Sequence, residues 1–281
     1  MCRFIAYLGK SIILHDALYK PDHSLIKQST HAREMEEPLN GDGFGMSWYT
    51  HQIDNFPGTF KTIQPAWNDS NLETLSQKLM SGCFLAHVRA ASKGDVNVFN
   101  THPFNFKEYS FMHNGGIGGF NKIKRQICQD LSDEIYDWIK GQTDSEHFFA
   151  IFLELLRQSK QPFNTELGAA IMKETINYIQ SLQKNITITE TTFINAIISD
   201  GNSLLAVRYV SNVQQAASLY YSYGDHLEYQ DGYCQMHESN TKKAVLIASE
   251  KLTSHKVNWH ELPTNHMLLV DNNLDLRIRA L

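Results

Sequence analysis

The predicted helices and strands come in blocks along the chain, and the order of these blocks limits the possible folds. Runs rich in β-branched and aromatic residues come first, two long segments with apolar residues at helical spacing follow, and β-rich runs return toward the end. Blocks of this kind favour an α+β arrangement with mostly antiparallel sheets, because a doubly wound parallel sheet would alternate strand and helix along the chain. Two stacked sheets covered by helices are therefore the expected architecture.

Residues such as Gly, Pro and Asn mark the boundaries of these segments. The β-rich runs are 2–9, 43–50, 83–90, 109–114, 217–223 and 244–249, and apolar residues at helical spacing cover 71–81, 144–160 and about 167–183. Either Asp144 or Ser145 is expected to cap the second of these helices. Two hairpins are expected, one around the Asp-Gly-Asn turn at 200–202 and one within 266–280.

Composition excludes several classes of protein. The chain of 281 residues is 42% hydrophobic and has a net charge of −5, so a packed core is possible and a polyanion-binding surface is not indicated. The four cysteines form no CxxC pair, which favours reduced thiols over a zinc site or a disulfide framework. No secretory leader, run of ~18–20 apolar residues, repeat or linker is visible. We expect one domain over residues 1–281, cytoplasmic, without contact to nucleic acid or membrane.

The glycine-rich and histidine-rich stretches do not point to a cofactor. The glycine clusters at 40–45 and 113–119 satisfy neither the GxGxxG pattern nor that of a P-loop. The 13 histidines include no HExxH motif and no tight cluster with cysteine. We therefore expect that the protein needs no metal, nucleotide or flavin.

Four polar positions stand at the ends of predicted strands or at a helix start, where a rigid scaffold can aim them. They are Cys2, Arg89, Asn114 with Gly115, and Asp144. Cys2 can serve as a nucleophile, and once the initiator methionine is removed its own α-amine, with an ordinary pKa of about 7.7–8.0, can accept the thiol proton. The Asn114 amide and the Gly115 N–H can donate to an oxyanion.

The other two side chains indicate a substrate. The guanidinium fork of Arg89 suits a carboxylate, and the carboxylate of Asp144 suits an ammonium group. Together with a nucleophile for an amide, they describe an α-amino acid with a side-chain amide, which is glutamine or a γ-glutamyl compound. Taken singly, Arg89 could form a structural ion pair, Asn114 could occupy a turn and Asp144 could cap a helix.

A set of motifs in sequence order carries a resemblance to a known family. They are MCRF, DGFG, AHVRAAS, NTHPF, HNGGI and TDSE, which together span residues 1–146, with an ASE segment at 248–250. On these motifs the chain resembles the class II glutamine amidotransferases of the N-terminal-nucleophile hydrolase superfamily. It is most similar to the short stand-alone members, which include γ-glutamyl hydrolases of glutathione and ergothioneine metabolism.

This resemblance implies a fold and a reaction. The fold would be a four-layer αββα sandwich of two mostly antiparallel sheets. Met1 would be removed, and Cys2 would attack the substrate amide with its α-amine as general base, forming a γ-glutamyl thioester. Asn114 and Gly115 would form the oxyanion hole, and no cofactor would be required.

The resemblance also implies how the substrate is held. Arg89 would bind its α-carboxylate and Asp144 its α-amino group, while Ser92 and His102 would help to shape the pocket. Many relatives carry Trp directly after the arginine, where this chain has Ala90. The pocket wall is therefore expected to differ from theirs at this position.

Three alternatives to a self-sufficient amidohydrolase stay open. The chain could be the ammonia-supplying glutaminase subunit of a two-chain amidotransferase, with a separate synthase or hydrolase as partner. It could also be a non-catalytic module that binds γ-glutamyl compounds. In the third alternative Met1 is retained, an amide nitrogen replaces the basic amine next to Cys2, and the enzyme is silent.

Overall fold

The computed structural model describes residues 2–34, 38–91, 94–213, 216–230, 233–236, 243–253 and 259–281. In this part of the chain the strands form two large antiparallel sheets and a two-stranded ribbon, and seven α-helices are present. The helices cover the outer faces of the two stacked sheets, so the layers run helices, sheet, sheet, helices. The predicted αββα sandwich is confirmed, and the assignment of residues 1–281 to one domain stays a prediction.

The bounds of the elements are as follows. The strands are β1 (Arg3–Ile13), β2 (Phe44–Trp48), β3 (Gly58–Thr62), β4 (Met80–Val88), β5 (Phe104–Phe106), β6 (Tyr109–Gly116), β7 (Phe193–Ser199), β8 (Leu204–Val210), β9 (Tyr220–Gly224), β10 (Leu227–Gln230), β11 (Tyr233–Met236), β12 (Ala244–Ala248), β13 (His260–Glu261), β14 (His266–Val270) and β15 (Leu276–Ala280). The α-helices are α1 (Leu14–Leu18), α2 (Leu25–His31), α3 (Ser70–Ser76), α4 (Phe120–Gln129), α5 (Asp133–Trp138), α6 (Asp144–Ser159) and α7 (Thr165–Asn185).

The topology brings distant parts of the chain together at the start of β1. The first sheet has the strand order β13-β9-β12-β1-β4-β2-β3, and the second has the order β15-β14-β8-β7-β6-β5. Strand β1 pairs antiparallel with β12 and with β4, with Ile5 opposite Ala248 and Arg3 opposite Val88. The residues that follow β12 and β4 therefore lie beside the residues that begin β1.

The first six residues of β1, residues 3–8, are buried on both faces. Ile5 and Tyr7 pack with the helices α1 to α3, whereas Phe4 and Ala6 pack between the two sheets. This alternation follows from the opposite directions of successive side chains in a strand. Because both faces are covered here, Cys2, which precedes β1, stands at the end of a buried strand.

The layer between the sheets is apolar over most of its extent and polar near the start of β1. Leu85, Met112 and Ile197 belong to its apolar part. In the polar part, Asn114 of β6 donates from Nδ2 to the Oγ of Ser249, which directly follows β12, over 2.7 Å. A buried polar group is stable only when it is hydrogen-bonded, so this bond joins the two sheets at a defined point.

Two boundaries differ from the prediction. The helix predicted over 71–81 ends at Ser76, because residues from Met80 onward join β4 and pair with the end of β1, with Ile13 opposite Met80. The N-cap of α6 is Thr143, whose side chain accepts from the N–H of Glu146, and not Asp144 or Ser145. Both predicted hairpins are confirmed, as β7–β8 and β14–β15.

Among the described residues, none of the helices is both long enough and apolar enough to cross a bilayer.

Candidate active site

Cys2 lies immediately before β1 and contacts the main chain that follows β4. Its Sγ is 3.5 Å from the carbonyl O of Ala90 and 3.4 Å from the N of the same residue. The side chain is half-buried. The pairing of β1 with β4 places the thiol next to Ala90, and therefore one residue from Arg89.

The surroundings of Cys2 keep its thiol protonated. Burial raises the pKa of the Cys2 thiol, and this effect outweighs the N–H of Ala90 and the charges of Arg89 and Arg3, which lower it. A thiol is a far weaker nucleophile than a thiolate. Reaction of this cysteine at neutral pH thus requires a base that removes its proton during the attack.

Arg89 is held by the loops around it. Its main chain is fixed by two bonds, from its N to the O of Gly43 and from the N of Asp42 to its O, both over 2.9 Å. Its guanidinium donates from Nη1 to the carbonyl O of Asp95 over 3.1 Å and from Nη2 to that of Gly94 over 3.3 Å. The loop after β4 therefore fixes the orientation of the guanidinium.

Asn114 and Gly115 lie near the end of β6, in the second sheet. The bond from Asn114 to Ser249 brings the carboxamide to β1, because the Oγ of Ser249 also accepts from the N of Phe4 over 3.1 Å. At Gly115 a Cβ atom would collide with the carbonyl O of Phe193 on the neighbouring strand β7. Glycine is thus required here by the close approach of the two strands.

Asp144 is the first residue of α6, and its carboxylate is turned toward the end of β6. Its Oδ2 accepts from the N of Ile117 over 2.9 Å, and the side chain is buried. Ile117 follows three residues after Asn114 in the chain. The carboxylate is therefore tied to the segment that carries the carboxamide, although the two residues belong to different elements.

The two remaining predicted pocket residues differ in position. Ser92 lies outside the described residues. His102 is buried, its ring centroid is 4.2 Å from that of His87, and it also packs against Phe104. Burial holds the pKa of His102 well below its usual range, so this ring is neutral. The contacts of His102 are those of a core residue, and its role in shaping the pocket stays a prediction.

Glu250 is a further polar residue at this end of the sheet, which the sequence analysis named only as part of the ASE segment at 248–250, without a role. Its carboxylate is 1% exposed and accepts from Arg3 Nε over 3.1 Å. It lies 2.6 Å from His23 Nε2 and also accepts from the main-chain N of Arg33 and of Glu34, over 2.9 and 3.0 Å. One buried carboxylate therefore fixes both the residue after Cys2 and the segment that follows α2.

The charge of Glu250 should contribute strongly to stability. Burial raises the pKa of Glu250, but the bonds from His23, Arg33 and Glu34 together with the charge of Arg3 outweigh it, so the net pKa is lowered. We expect Glu250→Gln to reduce the free energy of unfolding at pH 7 by about 3–5 kcal/mol, because the substitution leaves the buried guanidinium without its carboxylate.

The pH dependence of this effect has a defined sign. A carboxyl group with a lowered folded-state pKa stabilises fully above its unfolded pKa of about 4.3 and loses that stabilisation as the pH falls through the folded value. The difference in free energy of unfolding between wild type and Glu250→Gln, measured with urea, should therefore become smaller below about pH 4. Glu166→Gln, which weakens the exposed ion pairs with Arg277 and Arg279, is the control and should cost about 1 kcal/mol or less. A difference that is independent of pH would contradict this assignment.

Comparison with known sequences gives a consistent result. The sequence profile described as "Glutamine amidotransferases class-II" matches residues 22–276. "Probable glutamine amidotransferase DUG3" of Saccharomyces cerevisiae is 37% identical over an alignment of 292 residues, gaps included. The alignment covers 96% of this chain and 82% of that protein. "Gamma-glutamyl-hercynylcysteine sulfoxide hydrolase" of Mycobacterium tuberculosis is 31% identical over 119 residues, which cover 42% of this chain and 50% of that protein.

Comparison with solved structures gives similar folds over almost the whole chain. The glutamine aminotransferase class-II domain protein from Silicibacter pomeroyi has a TM-score of 0.67 and 27% identity, with 99% of this chain and 98% of that chain covered. The glutamine phosphoribosylpyrophosphate amidotransferase from B. subtilis has a TM-score of 0.62 and 14% identity, with 99% of this chain but 49% of that chain covered. At 14% identity the second similarity concerns the fold alone.

Proposed function

The chain belongs to the class II glutamine amidotransferases, and we propose that it hydrolyses the γ-amide of glutamine or of a γ-glutamyl compound through a thioester on Cys2. A single observation carries this proposal. The Cys2 thiol contacts the main chain of Ala90, directly after Arg89, and Ser249 joins the Asn114 carboxamide to the strand that follows Cys2. These are the groups that cleavage of a γ-glutamyl amide requires.

The proposed reaction has two steps. After removal of Met1, the α-amine of Cys2 takes the thiol proton while the sulfur attacks the γ-carbonyl carbon, and Asn114 and Gly115 donate to the resulting oxyanion. The C–N bond then breaks, the amine leaves with that proton, and a γ-glutamyl thioester remains. Water hydrolyses the thioester to glutamate and restores the thiol. The raised pKa of Cys2 supports the need for a base so close to the sulfur.

The γ-glutamyl half of the substrate is held at two points in this proposal. Arg89 binds the α-carboxylate and Asp144 binds the α-ammonium group. The family resemblance alone assigns Ser92 and His102 to the pocket that surrounds them. Because both groups must be bound, only γ-glutamyl compounds are substrates. Neither residue contacts the leaving amine, so these two contacts do not select it.

Substitution of Arg89 by lysine should weaken substrate binding. A lysine keeps the charge but cannot form two parallel bonds to a carboxylate. We expect kcat/KM for glutamine to fall about 10-fold to 100-fold, mainly through KM, since a hydrogen bond between charged groups contributes about 1.5–3 kcal/mol. Initial rates of glutamate release would measure this loss.

A substrate pair provides the control for Arg89. 4-Aminobutanamide is glutamine without the α-carboxylate, and wild type should cleave it far less well than glutamine. Arg89→Lys should reduce this preference, because the residue that reads the carboxylate has changed. An unaltered preference in Arg89→Lys would contradict the proposed role of Arg89.

The proposed function is tested by a panel of amides. Purified protein is incubated with glutamine, with γ-glutamyl peptides, with 4-aminobutanamide and with glutaramate, which lacks the α-amine. Glutamate release from the first two and little cleavage of the last two would support the proposal. Binding of γ-glutamyl compounds without any cleavage would favour the non-catalytic module.

A second candidate function is that of a glutaminase subunit that acts with a partner chain. Three apolar side chains of the loop that holds Arg89 are exposed, namely Val96, Val98 and Phe99. Exposed apolar residues grouped in one loop favour contact with another protein. In this case activity would appear, or rise, only when a separate synthase or hydrolase chain is added.

A further inference from the structure

Ser249 joins two parts of the proposed site that are distant in the sequence. It directly follows β12, beside the start of β1, and its side chain is fully buried. Its Oγ accepts from the N of Phe4 over 3.1 Å and from Nδ2 of Asn114 over 2.7 Å. One hydroxyl oxygen thus contacts both the strand that follows Cys2 and the carboxamide assigned to the oxyanion hole.

The direction of the bond to Phe4 follows from the groups present, and that of the bond to Asn114 follows from the amide nitrogen of Asn114, which faces Ser249. A main-chain N–H can only donate, so the Oγ of Ser249 is the acceptor toward Phe4. Its second lone pair receives Nδ2 of Asn114, which uses one of the two N–H groups of that nitrogen. In the proposal below, the other N–H of Nδ2 donates to the oxyanion. If the carboxamide were rotated by half a turn about its Cβ–Cγ bond, its oxygen would instead face the developing negative charge.

The backbone of Ser249 is fixed as firmly as its side chain. Its N donates to the O of Phe4 over 3.1 Å, and its carbonyl O accepts from the Oγ of Ser218 over 3.0 Å. The hydroxyl is therefore supported by a main chain that is hydrogen-bonded on both sides, to β1 and to Ser218. Rigid support of this kind is what keeps a catalytic group within the tolerance that the reaction allows.

We propose that Ser249 is a positioning residue for amide cleavage, which holds the Asn114 carboxamide with Nδ2 toward the oxyanion and at a fixed distance from the strand that follows Cys2. This inference rests on the proposed function, because it requires that Asn114 stabilises the oxyanion. Ser249 itself does not contact the substrate in this account. Its effect passes through the orientation of Asn114.

A matched control exists in the same layer of the fold. Ser47 of β2 is also fully buried, and its Oγ lies 2.6 Å from the Oγ of Ser110 on β6. This bond joins the same two sheets, four residues before Asn114 along β6. Ser47→Ala therefore removes a buried hydroxyl bond between the sheets without changing the partner of the carboxamide.

The test compares the kinetics of four proteins on glutamine and on a γ-glutamyl amide. Ser249→Ala should lower kcat about 10-fold to 100-fold, because a displaced catalytic group of this kind costs up to about 100-fold. Its KM should change little, since Arg89 and Asp144 are untouched. Ser249→Thr keeps the hydroxyl and should retain most of the activity. Ser47→Ala should keep the wild-type kcat even if its free energy of unfolding falls as far as that of Ser249→Ala.

A double substitution separates positioning from general stability. In protein that already carries Asn114→Ala, the further change Ser249→Ala should lower kcat by less than about 3-fold, because the residue through which it acts is gone. An unaffected kcat in Ser249→Ala, an equal loss in Ser47→Ala, or a full additional loss in the double variant would each overturn the inference. Wild type that cleaves no amide would overturn the proposed function together with it, whereas an active wild type with an active Ser249→Ala would overturn the inference alone.

Discussion

Cys2→Ala should abolish hydrolysis of γ-glutamyl amides while the fold stays intact. Without the sulfur no thioester can form, and the oxyanion hole and substrate contacts alone are a poor catalyst. Removal of a nucleophile from an enzyme of this general type costs about 10⁴-fold to 10⁶-fold in kcat. The fold should persist because Cys2 precedes β1 and is only half-buried. Glutamate release under substrate saturation measures the loss, and thermal unfolding checks the fold.

Cys128 provides the matched control for this experiment. It is a second free, half-buried thiol, and it lies on α4, which covers the outer face of the second sheet. Cys128→Ala should hydrolyse glutamine at the wild-type rate. Turnover that persists in Cys2→Ala would defeat the thioester mechanism, and a comparable loss in Cys128→Ala would show that the first result was not specific.

The second large effect is expected at Asn114. Loss of one oxyanion donor typically lowers kcat about 10²-fold to 10³-fold, since the donor acts mainly on the transition state. Asn114→Ala should show this fall with little change in KM. Asn114→Asp should lose at least as much activity at neutral pH, because a carboxylate only accepts hydrogen bonds and would repel the oxyanion. Steady-state kinetics on glutamine would measure both variants.

A neighbouring asparagine separates the catalytic effect from the loss of a buried amide. Asn195 stands opposite Asn114 in the pairing of β6 with β7, is buried, and donates from Nδ2 to the carbonyl O of Ser218 over 2.8 Å. Asn195→Ala should lose stability but keep most of the wild-type kcat. An Asn114→Ala enzyme with normal kcat, or an equal fall in both variants, would contradict the role of Asn114 in the oxyanion hole.

Much of the fold could be predicted because its signals are local. The two hairpins have short turns between β-rich runs, and the alternation of strand and helix blocks already indicates the layers. The end of α3 could not be predicted in this way. Apolar spacing continues through residues 77–81, but pairing with the end of β1 draws Met80 and Ser81 into a strand. That pairing is a tertiary contact, which overrides the local pattern.

The candidate site could be predicted only in part, for a related reason. Residue chemistry and motif order indicated Cys2, Arg89, Asn114 and Asp144, since each carries a group that the reaction needs. Ser249 and Glu250 carry no such signal, because their positions depend on β12 lying beside β1. The ASE segment at 248–250, a polar pair directly after a short buried strand, was matched to the family but gave neither residue a role.

Mass spectrometry of the purified protein, before and after reaction with a glutamine-like diazoketone, shows directly whether Cys2 is the nucleophile. The first spectrum reports whether Met1 has been removed, and peptide mapping of the second identifies the labelled residue. The proposed mechanism predicts protein without Met1 that carries one adduct, on Cys2. Protein without Met1 that gains no adduct, or gains it at another residue, would contradict Cys2 as the nucleophile.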